Sequence, residues 1–480
     1  MAASFLFYDL ETFGADPRTT RIAQFAALRT DVELNAIDAP ISFYVQPAED
    51  LLPSPVATLI TGITPQHALR EGVNEAAAFA RIFEEMARPE TCTLGYNSLR
   101  FDDEFVRAGL FRNFHDPYER EWRNGNSRWD LLDVMRLAHA LRPDGLAWPL
   151  RDDGFVSFRL EHLATANGVR EGDAHEALSD VVALVGLARR FRAAQPRLWD
   201  YALRLRDKRY VAQLLDPVRM QPVLHVSQRF PASRMCSAPV LPIARHPQID
   251  SRVIVFDLDQ DPEALLTLDP EAIADHLYTP AADLPEGATR VALKEVHANK
   301  CPVLVSWEHL RPEDFARLAI DRARSEANAQ RLRDAGPALA EKVRQVYAAS
   351  RSRTPSDVDG SLYDGFLDEG DKRKFPTVRS LPPTALGTHD FAFRDPRMAE
   401  LLFRYRARNW PGTLDAEEHA RWNAYRRDRL TRDTGRSEYT FDTFFAEIAA
   451  LRALNTEAPG RLALLDALAA WGDERRHALA

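Results

Sequence analysis

Three short acidic motifs in the first 180 residues carry side chains that could bind metal ions. They are DLE at the end of the apolar run SFLFY, the aspartate after GYNSLRF, and HEALSD at the head of an apolar helix. Together they supply four carboxylates and one histidine: Asp9, Glu11, Asp102, Asp180 and His175. This set can bind two divalent metals and activate a water against a phosphodiester. Any single motif is weak evidence, but the three in this order predict a nuclease.

The DLE motif lies on a predicted strand, where residues two positions apart face the same side. Asp9 and Glu11 would therefore project together, and each carboxylate raises the pKa of the other unless a cation lies between them. Mg²⁺ or Mn²⁺ is the cation that carboxylate and water ligands suit best. An isolated pair of this kind is more often a turn or strand-end feature, so the other two motifs decide the interpretation.

The second and third motifs each leave a question open. Asp102 and Asp103 both follow the predicted strand TCTLGY, so spacing does not show which is the ligand, and either could instead stabilise a helix N-terminus. His175 and Asp180 are about 140° apart around a helix, so we expect the histidine at or before the first turn. A neutral histidine there could accept a proton from a metal-bound water near pH 7.

The elements that must position these side chains change in character along the chain. Residues 1–190 read as strands followed by alternating strands and helices, which predicts an α/β domain with a mixed sheet. Residues 196–349 contain short β-like runs and then an arginine-rich helical segment. Residues 350–361 are polar and contain proline, which predicts a linker, and residues 362–480 look helical.

Composition limits the remaining possibilities. A chain of 480 residues should form roughly two to four domains. The formal charge of −9 argues against a generally basic nucleic-acid binder but permits a local basic groove. Three distant cysteines without a CxxC pair argue against a disulfide scaffold or a zinc site. We find no membrane span and no signal peptide, and we expect a cytoplasmic protein.

The order and spacing of the motifs resemble the DEDDh group of 3′–5′ exonucleases, whose fold is ribonuclease H-like. The DxE, NxxxxD and HxAxxD motifs of that group each have a match within about residues 4–190. The resemblance implies that two Mg²⁺ ions, or Mn²⁺, are held by four carboxylates: Asp9, Glu11, Asp102 and Asp180. It also implies that His175 is the general base.

Nearly the whole chain is similar to the bacterial exodeoxyribonuclease I family. The similarity is carried by segments such as FLFYDLETFG, RIAQFAALRTD, GYNSLRFDDEF, NSRWDLLDVMR, HANKCPVL and RNWPGTLD. It implies an SH3-like middle domain and an all-helical C-terminal domain, which with the nuclease domain surround single-stranded DNA. It further implies processive 3′ to 5′ degradation to 5′-mononucleotides, in DNA repair and recombination.

Residues outside the acidic motifs are predicted to contact DNA or a protein partner. Arginines neutralise phosphates and aromatic rings stack on bases, so Arg128, Trp129 and the segment 405–410 are predicted DNA contacts. The resemblance adds Arg159, beside Glu11, as a substrate contact. It also implies that the acidic, phenylalanine-ended tail of single-stranded-DNA-binding protein docks at three residues: Arg142, Tyr201 and Arg311.

Three alternative functions stay open on the sequence. An RNA-trimming exonuclease of the same superfamily differs by a pocket for the 2′-hydroxyl, which the sequence does not reveal. A non-catalytic scaffold for single-stranded DNA fits poorly with a full set of catalytic residues. A polymerase proofreading subunit fits poorly with the long extensions. Nothing in the sequence argues for self-association, and we expect a monomer.

Overall fold

The computed structural model describes residues 3–170, 172, 176–280, 283–284, 290–348 and 356–480. Within these ranges the strands are β1 (Ser4–Thr12), β2 (Ile22–Thr30), β3 (Ile41–Tyr44), β4 (Thr91–Gly95), β5 (Ser127–Asp130), β6 (Val223–Val226), β7 (Ser237–Arg245), β8 (Arg252–Asp257), β9 (Leu293–His297) and β10 (Val303–Ser306). The first helices are α1 (Pro55–Thr61), α2 (Pro65–Glu71), α3 (Glu75–Met86), α4 (Asp102–Arg112), α5 (Leu132–Leu141), α6 (Leu160–Ala166), α7 (Ala177–Ala194), α8 (Pro196–Arg204), α9 (Lys208–Leu214) and α10 (Glu263–Thr267). The remaining helices are α11 (Pro270–Tyr278), α12 (Pro312–Arg317), α13 (Arg322–Asp334), α14 (Pro337–Ala348), α15 (Glu369–Lys372), α16 (Phe375–Ser380), α17 (Arg397–Asn409), α18 (Ala416–Thr431), α19 (Phe441–Leu454) and α20 (Pro459–His477).

The chain forms two compact units. Unit 1 comprises Met1–Ser127, Arg170–Val185 and Thr354–Ala480, and unit 2 comprises Arg128–Val169 and Gly186–Arg353. Both units therefore contain segments that are far apart in the sequence. In the described ranges no helix has the length and apolar character to cross a membrane.

The sheet of unit 1 has the strand order β3-β2-β1-β4. Strand β1 is antiparallel to β2 and parallel to β4, so the sheet is mixed, as predicted. Strand β1 is buried along nearly its whole length, because apolar side chains fill both of its faces. On one face it packs against α3 and α4 through residues such as Phe79, Ile82 and Phe105.

The first and last parts of the chain share a hydrophobic core in unit 1. Phe111 and Phe114, at the end of α4, pack in one cluster with Phe375 of α16 and Leu401 of α17. A second cluster joins α19 and α20 to Leu52 near the N-terminus. The C-terminal helices of this unit thus pack directly on α4, which carries the second acidic motif, and on the segment around Leu52.

A buried ion-pair network, the Asp359 cluster (Asp50, Asp359, Arg404 and Arg408), lies between the same parts of unit 1. Arg408 Nη2 is 2.8 Å from Asp50 Oδ2 and 2.6 Å from Asp359 Oδ2, and Arg404 Nη1 is 2.9 Å from the same Asp359 oxygen. The arginines hold the pKa of both aspartates below the usual range. Asp359 belongs to the segment assigned to a linker, yet it is only 1% exposed. The boundaries of the three domains stay a prediction.

Unit 2 contains a fully antiparallel sheet with the strand order β10-β6-β7-β8-β9. These strands are the five β-like runs of the middle segment, so that part of the prediction is confirmed. Ile254, Phe256 and Leu241 of the sheet pack against apolar residues of α11, α13 and α14. The helices α8 to α11 were not predicted, and the arginine-rich helical segment forms two helices, α12 and α13.

Candidate metal site

Strand β1 places two carboxylates at one end of the mixed sheet. Asp9 pairs with Ala26 and Glu11 with Gln24 of β2, which sets both side chains on the same face of the strand. The parallel pairing with β4 extends only from Ser4 to Phe7. Asp9 and Glu11 therefore lie beyond the point where β4 ends, next to the loop that leads into α4.

A third carboxylate reaches this pair from the first turn of α7. Ligand oxygens of Asp9, Glu11 and Asp180 all lie within 4.8 Å of one another. Three carboxylates at that separation match the arrangement that a divalent cation needs for shared ligation. The structure thus brings together three of the four predicted ligands directly.

Asp102 approaches the same group as the first residue of α4. It follows a tight turn after β4, in which the Asp103 amide donates to the Ser98 carbonyl at 2.8 Å. Gly95 permits this turn, since a Cβ there would lie 2.4 Å from the Ser98 Cβ. Asp102 is outside the 4.8 Å group, but its charge raises the pKa of both Asp9 and Glu11. We call these four residues, Asp9, Glu11, Asp102 and Asp180, the acidic cluster.

The neighbouring aspartate has a different role. The Asp103 carboxylate is 1% exposed, accepts a hydrogen bond from Tyr8 Oη at 2.7 Å and forms an ion pair with Arg120 Nη2 at 2.6 Å. Tyr8 lies on the opposite face of β1 from Asp9. The geometry therefore favours Asp102 as the ligand, because Asp103 is already committed to a buried ion pair.

The electrostatics of the acidic cluster indicate a site that needs a cation. Burial, followed by the charges of Asp102, Glu11 and Asp180, raises the pKa of Asp9 well above the usual range. Burial beside Asp180, Asp102 and Glu176 raises the pKa of Glu11 to about 8. Crowded carboxylates of this kind are costly when ionised, and bound divalent cations remove that cost.

Two contacts at this site were missed by the sequence analysis. Arg170 Nη2 lies 2.7 Å from Asp180 Oδ1, and the Glu176 carboxylate accepts a hydrogen bond from the Ser179 amide at 2.9 Å. The first contact had no sequence signal, because a lone arginine ten residues before Asp180 is commonplace. His175, the predicted general base, lies outside the described residues, so its role stays a prediction.

Of the three predicted DNA contacts in unit 2, two are buried and one is exposed. Trp129 is 1% exposed and packs edge-on against Trp199 with ring centroids 4.9 Å apart, so the prediction that it stacks on bases is wrong. Arg128 is also buried, and its Nη2 donates to the Asn299 carbonyl at 3.1 Å, so its role as a DNA contact stays a prediction. By contrast, the Arg159 side chain is 75% exposed beside Glu161.

The segment 405–410 of unit 1 is not a surface for DNA either. Tyr405 and Arg406 are buried, Arg406 forms an ion pair with Glu418, and Arg408 belongs to the Asp359 cluster. Trp410 packs edge-on against Tyr405 with ring centroids 5.3 Å apart. The alternation of arginines and aromatics here reflects helix packing and internal ion pairs.

The three residues predicted to dock a protein tail all lie in unit 2 near the start of α12. Arg142 Nη1 is 2.6 Å from Asp314 Oδ1, and the Arg311 amide donates to Asp314 Oδ2 at 2.9 Å. Tyr201 Oη donates to the Leu304 carbonyl at 2.9 Å. The Arg311 side chain is 59% exposed. Their role in docking stays a prediction.

Comparison with known families places this site in a nuclease. The family described as Exonuclease matches residues 6–188, which contain the whole acidic cluster. The Exonuclease I SH3-like domain matches residues 206–349, and the Exonuclease I C-terminal domain matches residues 356–475. The predicted fold class is confirmed, and the chain is an exonuclease.

Similarity to an individual protein shows which family of exonucleases the chain belongs to. Exodeoxyribonuclease I of Escherichia coli (strain K12) is 48% identical over 430 residues, which is 89% of this chain and 90% of that protein. The chain belongs to the exodeoxyribonuclease I family.

Solved structures of relatives agree with this assignment. The moderately thermophilic exonuclease I of Methylocaldum szegediense superposes with a TM-score of 0.95 at 46% identity, over 98% of this chain and 99% of that one. A zinc-bound complex of E. coli exonuclease I with single-stranded DNA has a TM-score of 0.93 at 45% identity, over 99% of this chain and 100% of that one.

Proposed function

We propose that this protein hydrolyses single-stranded DNA from its 3′ end at the acidic cluster. The observation that carries the proposal is the group of three carboxylates within 4.8 Å of one another, in a chain nearly half identical to a named exodeoxyribonuclease. The solved complex of the E. coli relative with single-stranded DNA supports the substrate. The relatives do not favour the RNA-trimming or non-catalytic alternatives.

The acidic cluster fits two Mg²⁺ ions, with Mn²⁺ as the alternative. Its donors are carboxylate oxygens, which hard cations of this kind prefer, whereas zinc sites usually include nitrogen or sulfur ligands. Asp9, Glu11, Asp102 and Asp180 would hold the ions. When bound, such ions activate a water and stabilise the leaving oxygen of the scissile phosphodiester.

The residues of the chain itself have separate tasks in this proposal. Arg170 fixes the orientation of the Asp180 carboxylate through the 2.7 Å ion pair. Glu11, at the end of β1, would help to hold the ions and would contact the terminal nucleotide. His175 takes a proton from the attacking water, as a neutral imidazole can near pH 7. Arg159 binds a backbone phosphate with its exposed guanidinium.

Further features of the function rest on the family resemblance. These are processive digestion to 5′-mononucleotides, action in DNA repair and recombination in the cytoplasm, and a monomeric state. Docking of the tail of single-stranded-DNA-binding protein belongs here too. Arg142 already forms an ion pair with Asp314. The Arg311 side chain is more exposed, so it is the better candidate to bind a carboxylate of the tail.

The central test follows end-labelled single-stranded DNA over time. With Mg²⁺, mononucleotides should be released from the 3′ end, and Asp9→Ala should abolish release. Asp153→Ala is the matched control, because Asp153 is an acid with a half-exposed side chain in unit 2. Release from the 5′ end, faster digestion of a matched RNA, or activity in Asp9→Ala would each contradict the proposal. For the tail, Arg311→Ala should weaken binding of an acidic, phenylalanine-ended peptide, and unchanged affinity would exclude the site.

A further inference from the structure

The loop that follows β1 in unit 1, residues 13–21, begins directly after the strand that carries the DLE motif. The register of β1 against β2 shifts between Glu11 and Thr12, so the strand pairing is irregular at this end. The Thr12 hydroxyl donates to the Gly14 carbonyl at 2.7 Å, which ties the end of the strand to the loop. The position of Glu11 therefore depends on how the loop is held, because regular strand pairing ends beside it.

A carboxylate from the C-terminal part of unit 1 lies against the start of this loop. It belongs to Glu438, three residues before α19 begins. A Cβ at Gly14 would lie 2.2 Å from Glu438 Oε2 and 3.2 Å from its Cδ, so the carboxylate fills the space that a side chain at position 14 would need. Burial raises the pKa of the Glu438 carboxyl, whereas a hydrogen bond from the Ala15 backbone amide lowers it. Glu438 is exposed as a whole residue, yet its carboxylate contacts the loop backbone directly.

The next residue of the C-terminal part, Tyr439, is connected to the same loop through Ser54. Tyr439 Oη is 3.4 Å from Ser54 Oγ, and the Ser54 amide donates to the Phe13 carbonyl at 2.7 Å. Phe13 is 1% exposed and packs in a hydrophobic cluster of its own. Two adjacent C-terminal residues thus reach two adjacent loop residues, Glu438 at Gly14 and Tyr439 by way of Ser54 at Phe13. This pairing makes an incidental surface contact a poor explanation for the position of Glu438.

The second half of the loop is held by buried arginines. Arg112 of α4 donates to the Pro17 carbonyl at 2.8 Å, and Arg429 of α18 donates to the Thr19 carbonyl at 2.7 Å. Both arginines are buried in unit 1, so these contacts belong to its folded core. Loss of the Glu438 carboxylate should therefore release only the first half of the loop, next to Glu11, and leave the second half in place.

We infer that Glu438 is a positioning residue for the metal site, because its carboxylate holds the start of the loop after β1 and thereby fixes Glu11 where it can bind an ion. This inference rests on the proposed function and deepens it, since the C-terminal part of unit 1 then contributes to the geometry of the acidic cluster. Glu438 acts through Gly14 and Thr12. It binds no ion itself and takes no part in the chemistry.

The Mg²⁺ dependence of the initial rate, together with calorimetric titration of Mg²⁺ into the protein, tests the inference. Glu438→Ala should weaken the apparent Mg²⁺ affinity about 10-fold or more by both measurements, as loss of a group that orients a ligand usually does. Glu438→Gln keeps an oxygen that can accept from the Ala15 amide, so it should retain most of the affinity. Glu457→Ala is the matched control, because Glu457 is an exposed glutamate between α19 and α20. The melting temperature without Mg²⁺ should change little in all three variants.

A second substitution disturbs the same contact from the loop. The methyl group of Gly14→Ala would meet Glu438 Oε2 and displace the carboxylate, so Mg²⁺ affinity should fall as in Glu438→Ala. The double variant should lose no more than the weaker single variant, because both changes remove one contact. Unchanged Mg²⁺ affinity in Glu438→Ala, additive losses in the double variant, an equal loss in Glu457→Ala, or a glutamine variant as impaired as the alanine variant would each overturn the inference. Failure of the proposed function is distinguishable, because the unsubstituted protein would then release no nucleotides, whereas failure of this inference alone leaves its activity intact.

Discussion

The guanidinium of Arg170 lies 2.7 Å from the Asp180 carboxylate, so one member of the acidic cluster already has a cationic partner within the protein. The Arg170 side chain is only 9% exposed, which weakens solvent screening of this pair. Arg170 therefore holds the Asp180 carboxylate in place and offsets part of the negative charge before any ion binds. We regard it as a positioning residue for the metal site.

Loss of Arg170 should impair the use of metal. Arg170→Gln frees the Asp180 carboxylate to rotate, and we expect a 10- to 100-fold loss in apparent Mg²⁺ affinity or in activity, as is usual for groups that orient ligands. The measurement is the dependence of the initial rate on Mg²⁺ concentration. Excess Mg²⁺ should restore part of the rate, and Arg170→Lys should lose less. Arg88→Gln, which removes a half-exposed arginine with acidic partners, serves as the control. An unchanged or tighter Mg²⁺ dependence would contradict this role.

Adjacent aspartates should give opposite phenotypes. Asp102→Asn removes a charge from the acidic cluster, so we expect a loss of activity of about 1,000-fold or more with unimpaired stability. Asp103→Asn removes the 2.6 Å partner of the buried Arg120, which keeps only the more distant Glu121 at 3.7 Å, and should lower the free energy of unfolding by about 3 kcal/mol. Chemical denaturation and steady-state rates measured on both variants provide the comparison. If Asp103→Asn lost activity while remaining stable, Asp103 and not Asp102 would be the metal ligand.

The stability of the metal-free protein should fall as the pH rises. The pKa of Glu11 is raised from 4.5 to about 8 in the folded protein, so folding favours its protonated form. Its stabilising contribution is complete below about pH 4.5 and is lost as the pH rises through about 8. Glu11→Gln should therefore flatten this decline in melting temperature while abolishing activity. Mg²⁺ should raise the melting temperature more at pH 8 than at pH 6, because protons compete for the same carboxylates. If the melting temperatures of Glu11→Gln and of the original protein fell equally as the pH rises, the raised pKa of Glu11 would be refuted.

The Asp359 cluster should be essential for the folding of unit 1. Asp359→Asn removes the shared partner of Arg404 and Arg408, and breaking a buried pair of this type costs about 3–5 kcal/mol. The unfolding midpoint in urea is the measurement. Asp368→Asn is the control, because Asp368 lies at the surface with a 42% exposed side chain. A change below about 1 kcal/mol at Asp359 would show that the network is dispensable.

Local sequence patterns predicted the elements that position the site. The apolar run before Asp9 marked β1, and the alternation of side chains along a strand put Asp9 and Glu11 on one face. The five β-like runs of unit 2 were recognised in the same way. In each case the residues that form the pattern also form the predicted element, so no contact between distant parts of the chain is needed.

Contacts between distant residues could not be predicted in this way. The pattern that marked Trp129 and the 405–410 segment is the same whether arginines and rings face DNA or pack inside a helical core. Only the fold brings Arg408 to Asp50 and Asp359. Arg170 was missed for the same reason, because no local pattern signals its contact with Asp180, ten residues further along the chain.

The Asp359 cluster has a consequence for how this enzyme can be divided. Asp50 belongs to the N-terminal nuclease segment, while Arg408 belongs to the C-terminal helices. A fragment truncated before Arg397 would lack Arg408 and Arg429, which pair with Asp50, and would expose apolar residues such as Phe111 and Phe114 that pack on the C-terminal helices. We therefore regard the nuclease segment and its tail as one inseparable folding unit, which cannot be exchanged between relatives as independent modules.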